Sequence, residues 1–537
     1  MAMKSSLAWV QLCADCLCPS HTVCYPQDGP CKRATLCRYE IATYGAAMPS
    51  SGIGSDLNLP LMLDRAGRFP LQQQLCEQLR RAILDGRLAS GTRLPSTRAL
   101  AQALGVSRTV TSSAFDELVA EGYLEGRRGS GTYVGSDLPS LPPPRLPVPD
   151  VAPRWLRTAP GAAHEEPPTP RSIAFRLGMP SMSSLAPRVW REAWRAVTSR
   201  LPPESYGALD GDPALRTALA LYLGRSRGLA CTPEDILITA GATHALDLIA
   251  RACLTPGDTV GFEEPGYPAA RHILQARGAH IMPVPLDDDG MRVDHLPHGA
   301  LAPPLVYTTP SHQYPLATRL SVSRRITLLT WAQLNDSLIM EDDYDSEFRF
   351  DASPLPALAS LDSAGRVAYI GTFSKVLTPA LRVGYLVAPP LLRQRIAQLQ
   401  DLTDEYVSWP LQQMLAAFIS HGHLDRHIRR MRQQYAQKRQ AIAQALAPIA
   451  HLAQLRGLEA GLHAYLELRP DLNARSVAQL ARTRGVLATV LDSYYLGTPD
   501  RSGLLLGYGG EDLPDIIRGA TILAEVIERV AAAPHYS

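Results

Sequence analysis

Val367-Ala368-Tyr369-Ile370-Gly371-Thr372-Phe373 runs directly into Ser374-Lys375. The run is short, apolar and rich in strand-forming residues, the pattern of a strand buried on both faces, and it ends on a lysine. A cation at the end of a buried strand is costly unless its chemistry is used. Lysine can form a Schiff base with an aldehyde, whereas a guanidinium stays protonated and cannot. The position stands out because only four of the 53 basic residues are lysines: Lys4, Lys32, Lys375 and Lys438. Codon bias in a GC-rich genome accounts for the arginine background, and Lys438 reads as an ordinary solvated helix residue.

Strands alternate with helices on both sides of this lysine from about residue 171 onward, the signature of an α/β fold with a mostly parallel sheet. Ligands in such folds sit at the carboxyl ends of the strands. Ile236-Leu237-Ile238-Thr239 reads as a buried strand, and Ala240-Gly241-Ala242-Thr243-His244 leads into a helix over 245–253, a small-residue approach that suits a phosphate. Leu338-Ile339-Met340 leads into Glu341-Asp342-Asp343-Tyr344-Asp345, where strand alternation places Asp342 and Tyr344 on one face and Asp343 on the other.

These strings resemble the fold-type I, aminotransferase-like enzymes that bind pyridoxal phosphate. The resemblance rests also on Ser205-Tyr206-Gly207, Gly211-Asp212-Pro213-Ala214-Leu215-Arg216, Glu264-Pro265-Gly266-Tyr267-Pro268, Pro310-Ser311-His312-Gln313-Tyr314-Pro315 and Arg382-Val383-Gly384-Tyr385. It implies Lys375 as the Schiff-base lysine and Asp342 as the partner of the protonated pyridine nitrogen, which keeps the ring an electron sink. If the strand register slips, Glu341 or Asp343 takes that place. Tyr344 is implied at the ring hydroxyl and Tyr267 in a stack on the ring. Gly241, Ala242, Thr372 and Arg382 are implied at the phosphate, with Tyr206 entering from the partner subunit of a dimer.

The chain departs from that pattern twice. Many aminotransferases carry Asn-Pro-Thr-Gly where this sequence has Tyr314-Pro315-Leu316-Ala317, so the usual asparagine contact to the ring oxygen is missing. Leu505 stands where an arginine usually receives the substrate carboxylate, and Arg501 is a substitute that the sequence does not place. Gly461-Leu462-His463 reads as the opening of a strand in a small C-terminal α+β domain, a structural role preferred over a place for His463 near the site.

A different pattern occupies residues 56–135. Leu71, Leu75, Leu79, Ile83 and Leu84 recur at helical spacing up to Asp85-Gly86, and Ser96 caps a short helix with Leu100, Ala101 and Leu104 inward. After Gly105-Val106, Ser107 caps a third helix reaching Glu121. Val110, Ala114, Leu118 and Val119 are read as its inward face, with Arg108, Thr109, Thr111 and Ser112 on the other side. Two helices around a glycine turn, the second presenting polar residues at its start, match the helix-turn-helix that enters a major groove. The stretch from Gly122 to Val134 reads as a hairpin whose tip offers Arg127 and Arg128 to phosphates. The strings Leu94-Pro95-Ser96-Thr97-Arg98, Leu104-Gly105-Val106-Ser107-Arg108-Thr109-Val110 and Gly129-Ser130-Gly131-Thr132-Tyr133-Val134 closely resemble the GntR-type winged helix. That resemblance implies Arg98, Ser107, Arg108 and Thr109 at DNA, with the wing alongside. Ten arginines against eight acids in this stretch mean that any basic face comes from arrangement rather than excess.

Residues 136–170 hold eleven prolines, including Pro142-Pro143-Pro144, and read as an extended, semi-rigid linker, either a spacer or a part that transmits a state between domains. Six of nine cysteines fall in the first 37 residues. Cys13 and Cys16 have metal-site spacing but no second ligand pair, and no continuous apolar stretch supports a secretory signal. Residues 1–55 read as a disordered or non-native extension, with Met48 a candidate start. Scarce cysteine elsewhere fits a reducing cytoplasm. At 537 residues, 46% hydrophobic and 19% charged, the chain is long enough for several cores and lacks an apolar run of membrane-spanning length.

A GntR-type winged helix joined by a long linker to an aminotransferase-like domain is the layout of the MocR/GabR family of transcription regulators. It implies a pyridoxal-phosphate-dependent regulator bound to a DNA operator, responding to pyridoxal phosphate or a small amino compound, and assembled as a head-to-tail homodimer. Two other readings stand beside it: a working aminotransferase with an accessory DNA-binding domain, and a DNA-binding protein whose large domain is only a dimerisation scaffold.

Overall fold

In the structure, a computed structural model, the described residues are 59, 61–136, 172–350, 356–403 and 406–532. The extension at 1–55 and nearly all of the proline-rich linker lie outside them. The chain divides into two compact units, one within residues 1–151 and one within 152–537.

The first unit has three helices, α1 (Leu71–Leu84), α2 (Thr97–Leu104) and α3 (Arg108–Ala120), followed by an antiparallel hairpin of β1 (Leu124–Arg127) and β2 (Gly131–Val134). Leu75, Leu79, Ala82, Leu100, Ala114, Phe115, Leu118, Leu124 and Val134 form its core. Ser96 and Ser107 accept hydrogen bonds from Ala99 N and Val110 N, capping α2 and α3 as their positions predict. The inward face of α3 differs from the expectation. Thr111, Ala114, Phe115 and Leu118 are buried at i, i+3, i+4 and i+7, whereas Val119 is 43% exposed. Thr111 therefore points inward, and its hydroxyl donates to Thr97 O at 2.8 Å and Arg108 O at 3.0 Å, tying α2 to α3.

The second unit is built on an eight-stranded sheet. Across it run Ile236–Thr239, Gly384–Val387, Val367–Thr372, Leu338–Asp343, Leu305–Thr308, Thr259–Glu264, His280–Asp287 and Gly290–Met291. Gly384–Val387 and Gly290–Met291 are antiparallel to their neighbours, and the other pairings are parallel. Alternation along the strands feeds two cores. Ala368, Ile370 and Met340 meet Ala245, Leu246 and Ile249 of the helix Ala242–Cys253 on one side. Val367 and Ile339 join Trp331 and Leu328 on the other. A four-stranded antiparallel sheet of Ala453–Arg456, His463–Leu468, Gly503–Gly507 and Thr489–Val490 forms the small C-terminal layer. No described helix is long and apolar enough to cross a membrane.

Lys438 is not a solvated residue. On the helix His423–Leu446, the buried stripe Leu424, Ile428, Met431, Tyr435, Lys438, Ile442 carries it inward at the same helical spacing as its apolar neighbours. Its ammonium donates to Gly509 O at 2.8 Å, and burial lowers its pKa to about 8.

Candidate functional site

A cavity of about 230 Å³ opens at the carboxyl ends of the parallel strands, where the fold rule for such sheets places a ligand. Its lining includes Lys375, Asp342, Tyr344, Tyr267, Ala242, Thr372 and Arg382. Each was singled out from sequence, and the chain brings them together from five separate segments. Gly241 caps the helix Ala242–Cys253 beside them. Tyr206 lies elsewhere: it is 80% exposed and its ring stacks on that of Tyr406 at 5.5 Å.

Lys375 sits in a turn three residues beyond the strand, which ends at Thr372. Its ammonium donates to Gly178 O at 2.9 Å. Desolvation pulls its pKa below the ordinary lysine value, against the attraction of Asp345 and Asp342. A lysine held this way gives up its proton more readily and becomes a better nucleophile toward a carbonyl carbon.

The three adjacent carboxylates have three different environments. Glu341 accepts the backbone N–H groups of Leu358 and Ala359, both at 2.8 Å. Asp343 is locked into a buried ion pair with Arg227 at 2.5 Å and accepts the Tyr369 hydroxyl at 2.6 Å. Asp342 alone lines the cavity. Its Oδ2 accepts the Tyr307 hydroxyl at 2.9 Å, while its buried Oδ1 has no hydrogen-bond partner. Burial raises its pKa to about 7. A buried acceptor left open toward a cavity fits a cationic N–H on a ligand, such as a protonated pyridine.

Opposite that carboxylate the cavity is made for an anion. The helix Ala242–Cys253 presents its N-terminus there, with Thr243 beside it. Thr372 and Ser374 hydroxyls bond each other at 3.0 Å at the same wall. Arg382 holds a left-handed backbone conformation (φ 49°) and donates to Ala240 O at 3.1 Å and Thr243 Oγ1 at 3.2 Å. A Cβ on Gly241 (φ 97°) would fall 3.2 Å from that guanidinium, so the glycine leaves room for it to sit against the helix start. Tyr267 provides a flat wall, edge-on to Tyr314 at 5.3 Å. Open carboxylate, anion cradle, aromatic wall and lysine together fit pyridoxal phosphate.

Leu505 is fully buried and faces the core of Val306, Leu316 and Tyr494. Arg501 lies near Asp288 at 3.9 Å and does not line the cavity. Among the described lining residues the cations are Lys375 and Arg382. Sequence reasoning missed Tyr307, Thr309 and Gly178, since single polar or small residues in apolar strings carry no spacing signal.

In the first unit, Arg98, Ser107, Arg108, Thr109 and Arg128 are exposed around the start of α3 and the hairpin tip. Arg127 is partly engaged: it pairs with Glu125 at 2.5 Å and lies 4.5 Å over the Tyr133 ring.

Comparison with known proteins gives both units relatives. Residues 71–134 match bacterial regulatory proteins of the gntR family, and residues 177–502 match aminotransferase class I and II. The probable rhizopine catabolism regulatory protein MocR of Rhizobium meliloti is 36% identical over 497 residues, covering 88% of this chain and 99% of its own length. The HTH-type pyridoxine biosynthesis transcriptional regulator PdxR of Corynebacterium glutamicum is 36% identical with the same coverage. Among solved structures, Pyrococcus horikoshii kynurenine aminotransferase in complex with PMP superposes with a TM-score of 0.63 at 29% identity, covering 68% of this chain and 93% of that one. LysN, the α-aminoadipate aminotransferase of Thermus thermophilus complexed with N-(5'-phosphopyridoxyl)-L-leucine, superposes with a TM-score of 0.61 at 26% identity, covering 68% and 94%.

The Asp342 environment sets a pH test on the protein stripped of ligand. Its carboxyl is raised from 3.8 to about 7, so the folded state binds its proton more tightly than the unfolded chain. The associated loss of stability is absent below about pH 4 and grows as pH rises toward 7. Asp342→Asn removes it, so in scanning calorimetry the variant should melt with the wild type near pH 4 and above it at pH 8. Equal melting at both values would contradict this electrostatic reading.

Proposed function

The chain belongs to the MocR-type family of HTH-type transcriptional regulators, a gntR domain followed by an aminotransferase class I and II domain, and from that premise we propose that its second unit senses pyridoxal phosphate or a small amino compound. It is a DNA-binding transcription regulator. The observation that carries the sensing proposal is the open Oδ1 of Asp342, set in one cavity with Lys375 and the anion cradle. Pyridoxal phosphate supplies there an aldehyde for the lysine and a ring that stores electrons. Asp342 pairs with the ring nitrogen, Tyr344 bonds the ring oxygen and Tyr267 covers the ring. Gly241, Ala242, Thr243, Thr372, Ser374 and Arg382 hold the phosphate. In a head-to-tail homodimer, Tyr206 of the partner subunit adds to that cradle, which accounts for its exposure here.

The absence of a further cation among the described lining residues favours a sensor over a working aminotransferase. A substrate carboxylate buried without one is strongly disfavoured. The cofactor, held by Asp342, Tyr344 and the phosphate cradle, would offer its aldehyde either to Lys375 or to the amine of an effector, and any difference in how two arrangements of the dimer hold Lys375 in those two cases would shift their populations. The linker read at 136–170 is the part through which such a shift reaches the winged helices. As a regulator of operator DNA the protein acts in the cytoplasm.

Purified protein should carry a visible absorption band that Lys375→Ala removes, with no robust steady-state transamination from common amino donors. A colourless wild type would reject the cofactor, and rapid turnover would reject the sensor. On the DNA side, Arg108→Ala should weaken sequence-specific binding and reduce the salt slope by about one. An unchanged slope in a titration across salt concentrations would misplace the recognition helix.

A further inference from the structure

The missing Asn-Pro-Thr-Gly asparagine leaves open how the ring-oxygen end of the cavity is organised, a question that rests on the cofactor reading above. Gln313, beside the missing position, does not replace it. Its Nε2 donates to Pro265 O at 2.9 Å and Tyr314 O at 2.8 Å, and its Oε1 accepts Leu316 N at 2.9 Å. Tyr344 is left to make that contact, and its hydroxyl faces His312 Nδ1 at 3.1 Å.

The same nitrogen lies 3.1 Å and 3.0 Å from the two oxygens of Asp345. His312 is 3% exposed and Asp345 1% exposed. A buried carboxylate needs a donor, so the ring proton belongs on Nδ1 and points at Asp345. The other nitrogen, Nε2, is buried with no partner. A bare lone pair there costs less than an unpaired N–H together with an uncompensated carboxylate. With Nδ1 protonated, it offers the Tyr344 hydroxyl no lone pair. The hydroxyl proton must then turn away from His312, toward the cavity.

We propose that His312 and Asp345 are positioning residues that hold Tyr344 as a hydrogen-bond donor into the cavity, toward the ring oxygen of the cofactor. The small C-terminal layer seals the pair. Gly461 (φ 77°) passes so close that a Cβ there would lie 2.1 Å from His312 Cε1 and 2.5 Å from Asp345 Oδ2. The His463 ring is 4.9 Å from that of His312, with its Nε2 3.1 Å from Pro315 O. Burial drives the His463 pKa down to about 3, so it faces the pair uncharged. Among the described residues, the other charged and titratable groups facing the pair and Tyr344 are Lys375, Asp342, Glu263, Tyr314 and Tyr508. Arg319, Arg349 and Glu459 line the pocket on the far side of His312. Apart from His463, which is changed only in the zinc assay, all of these are unchanged in the variants below.

A donor at the ring oxygen draws charge from it and lowers the pH at which the lysine-bound cofactor titrates. The test is a spectrophotometric pH titration of the full-length, cofactor-loaded protein. His312→Phe and Asp345→Ala should each raise the midpoint of the visible band by about one pH unit, a tenfold change in proton affinity. In Asp345→Ala the acceptor that keeps the proton on Nδ1 is gone, which frees the Nδ1 lone pair for the tyrosine hydroxyl and draws that donor out of the cavity, so this variant carries the test if His312→Phe does not fold. Tyr344→Phe should raise the midpoint similarly, and adding His312→Phe to it should change nothing more, because the effect runs through the hydroxyl. An unmoved midpoint in the single variants, or a full further shift in the Tyr344→Phe background, would overturn the proposal. His312, Asp345 and His463 also place three ligand atoms within 4.8 Å of one another. Stoichiometric zinc that is lost in His463→Ala would therefore overturn it as well. A protein with no visible band would reject the cofactor reading and this inference together.

Discussion

A carboxylate kept in a dry cavity with one oxygen tied and the other open is the constraint on which the second unit turns. Asp342 receives one hydrogen bond from Tyr307 and nothing at Oδ1, and burial holds its proton affinity near neutral pH. The alternation of the strand Leu338–Asp343 makes this possible. It sends Glu341 and Asp343 to the opposite face, where backbone N–H groups and Arg227 satisfy them, and leaves Asp342 to the ligand. Three neighbouring acids could not all be held open in one small site, because like charges in low dielectric oppose one another. The rest of the cavity lining complements this one group: a lysine, an anion cradle at a helix start, and an aromatic ring.

Much of this was legible in the sequence because strand periodicity converts spacing into direction. Lys375 at a strand end, Asp342 and Tyr344 two residues apart, and a small-residue turn before a helix all follow from local rules. What stayed hidden depends on packing between segments. Tyr307 reaches Asp342 only because Leu305–Thr308 lies beside Leu338–Asp343 in the sheet. The pairing of His312 with Asp345 spans 33 residues and two strand ends. Thr111 and Lys438 are hidden for a different reason. Each carries a polar group on an apolar helical stripe, so residue type and spacing point in opposite directions. In both cases a backbone carbonyl accepts the polar hydrogen, Thr97 O for one and Gly509 O for the other, which is what lets the stripe tolerate them.

Among the described residues the cavity lining fits a cofactor, and its cations are Lys375 and Arg382. Leu505 makes core contacts, and Arg501 lies near Asp288. The sensor we propose requires ligand binding and no turnover. Occupancy can be read out as a change of state, and a helix-turn-helix on the same chain supplies the output. The energy required is modest, since effector coupling of about 1–3 kcal/mol changes affinity roughly 5- to 150-fold.

The central claim is that the state of Lys375 reaches the DNA. Its most direct test is the affinity of the intact protein for an operator selected from random DNA, measured with and without pyridoxal phosphate and repeated with Lys375→Ala. The account predicts a severalfold change in the wild type and none in the variant. Equal affinities in the wild type with and without the cofactor, or an undiminished response in Lys375→Ala, would contradict it.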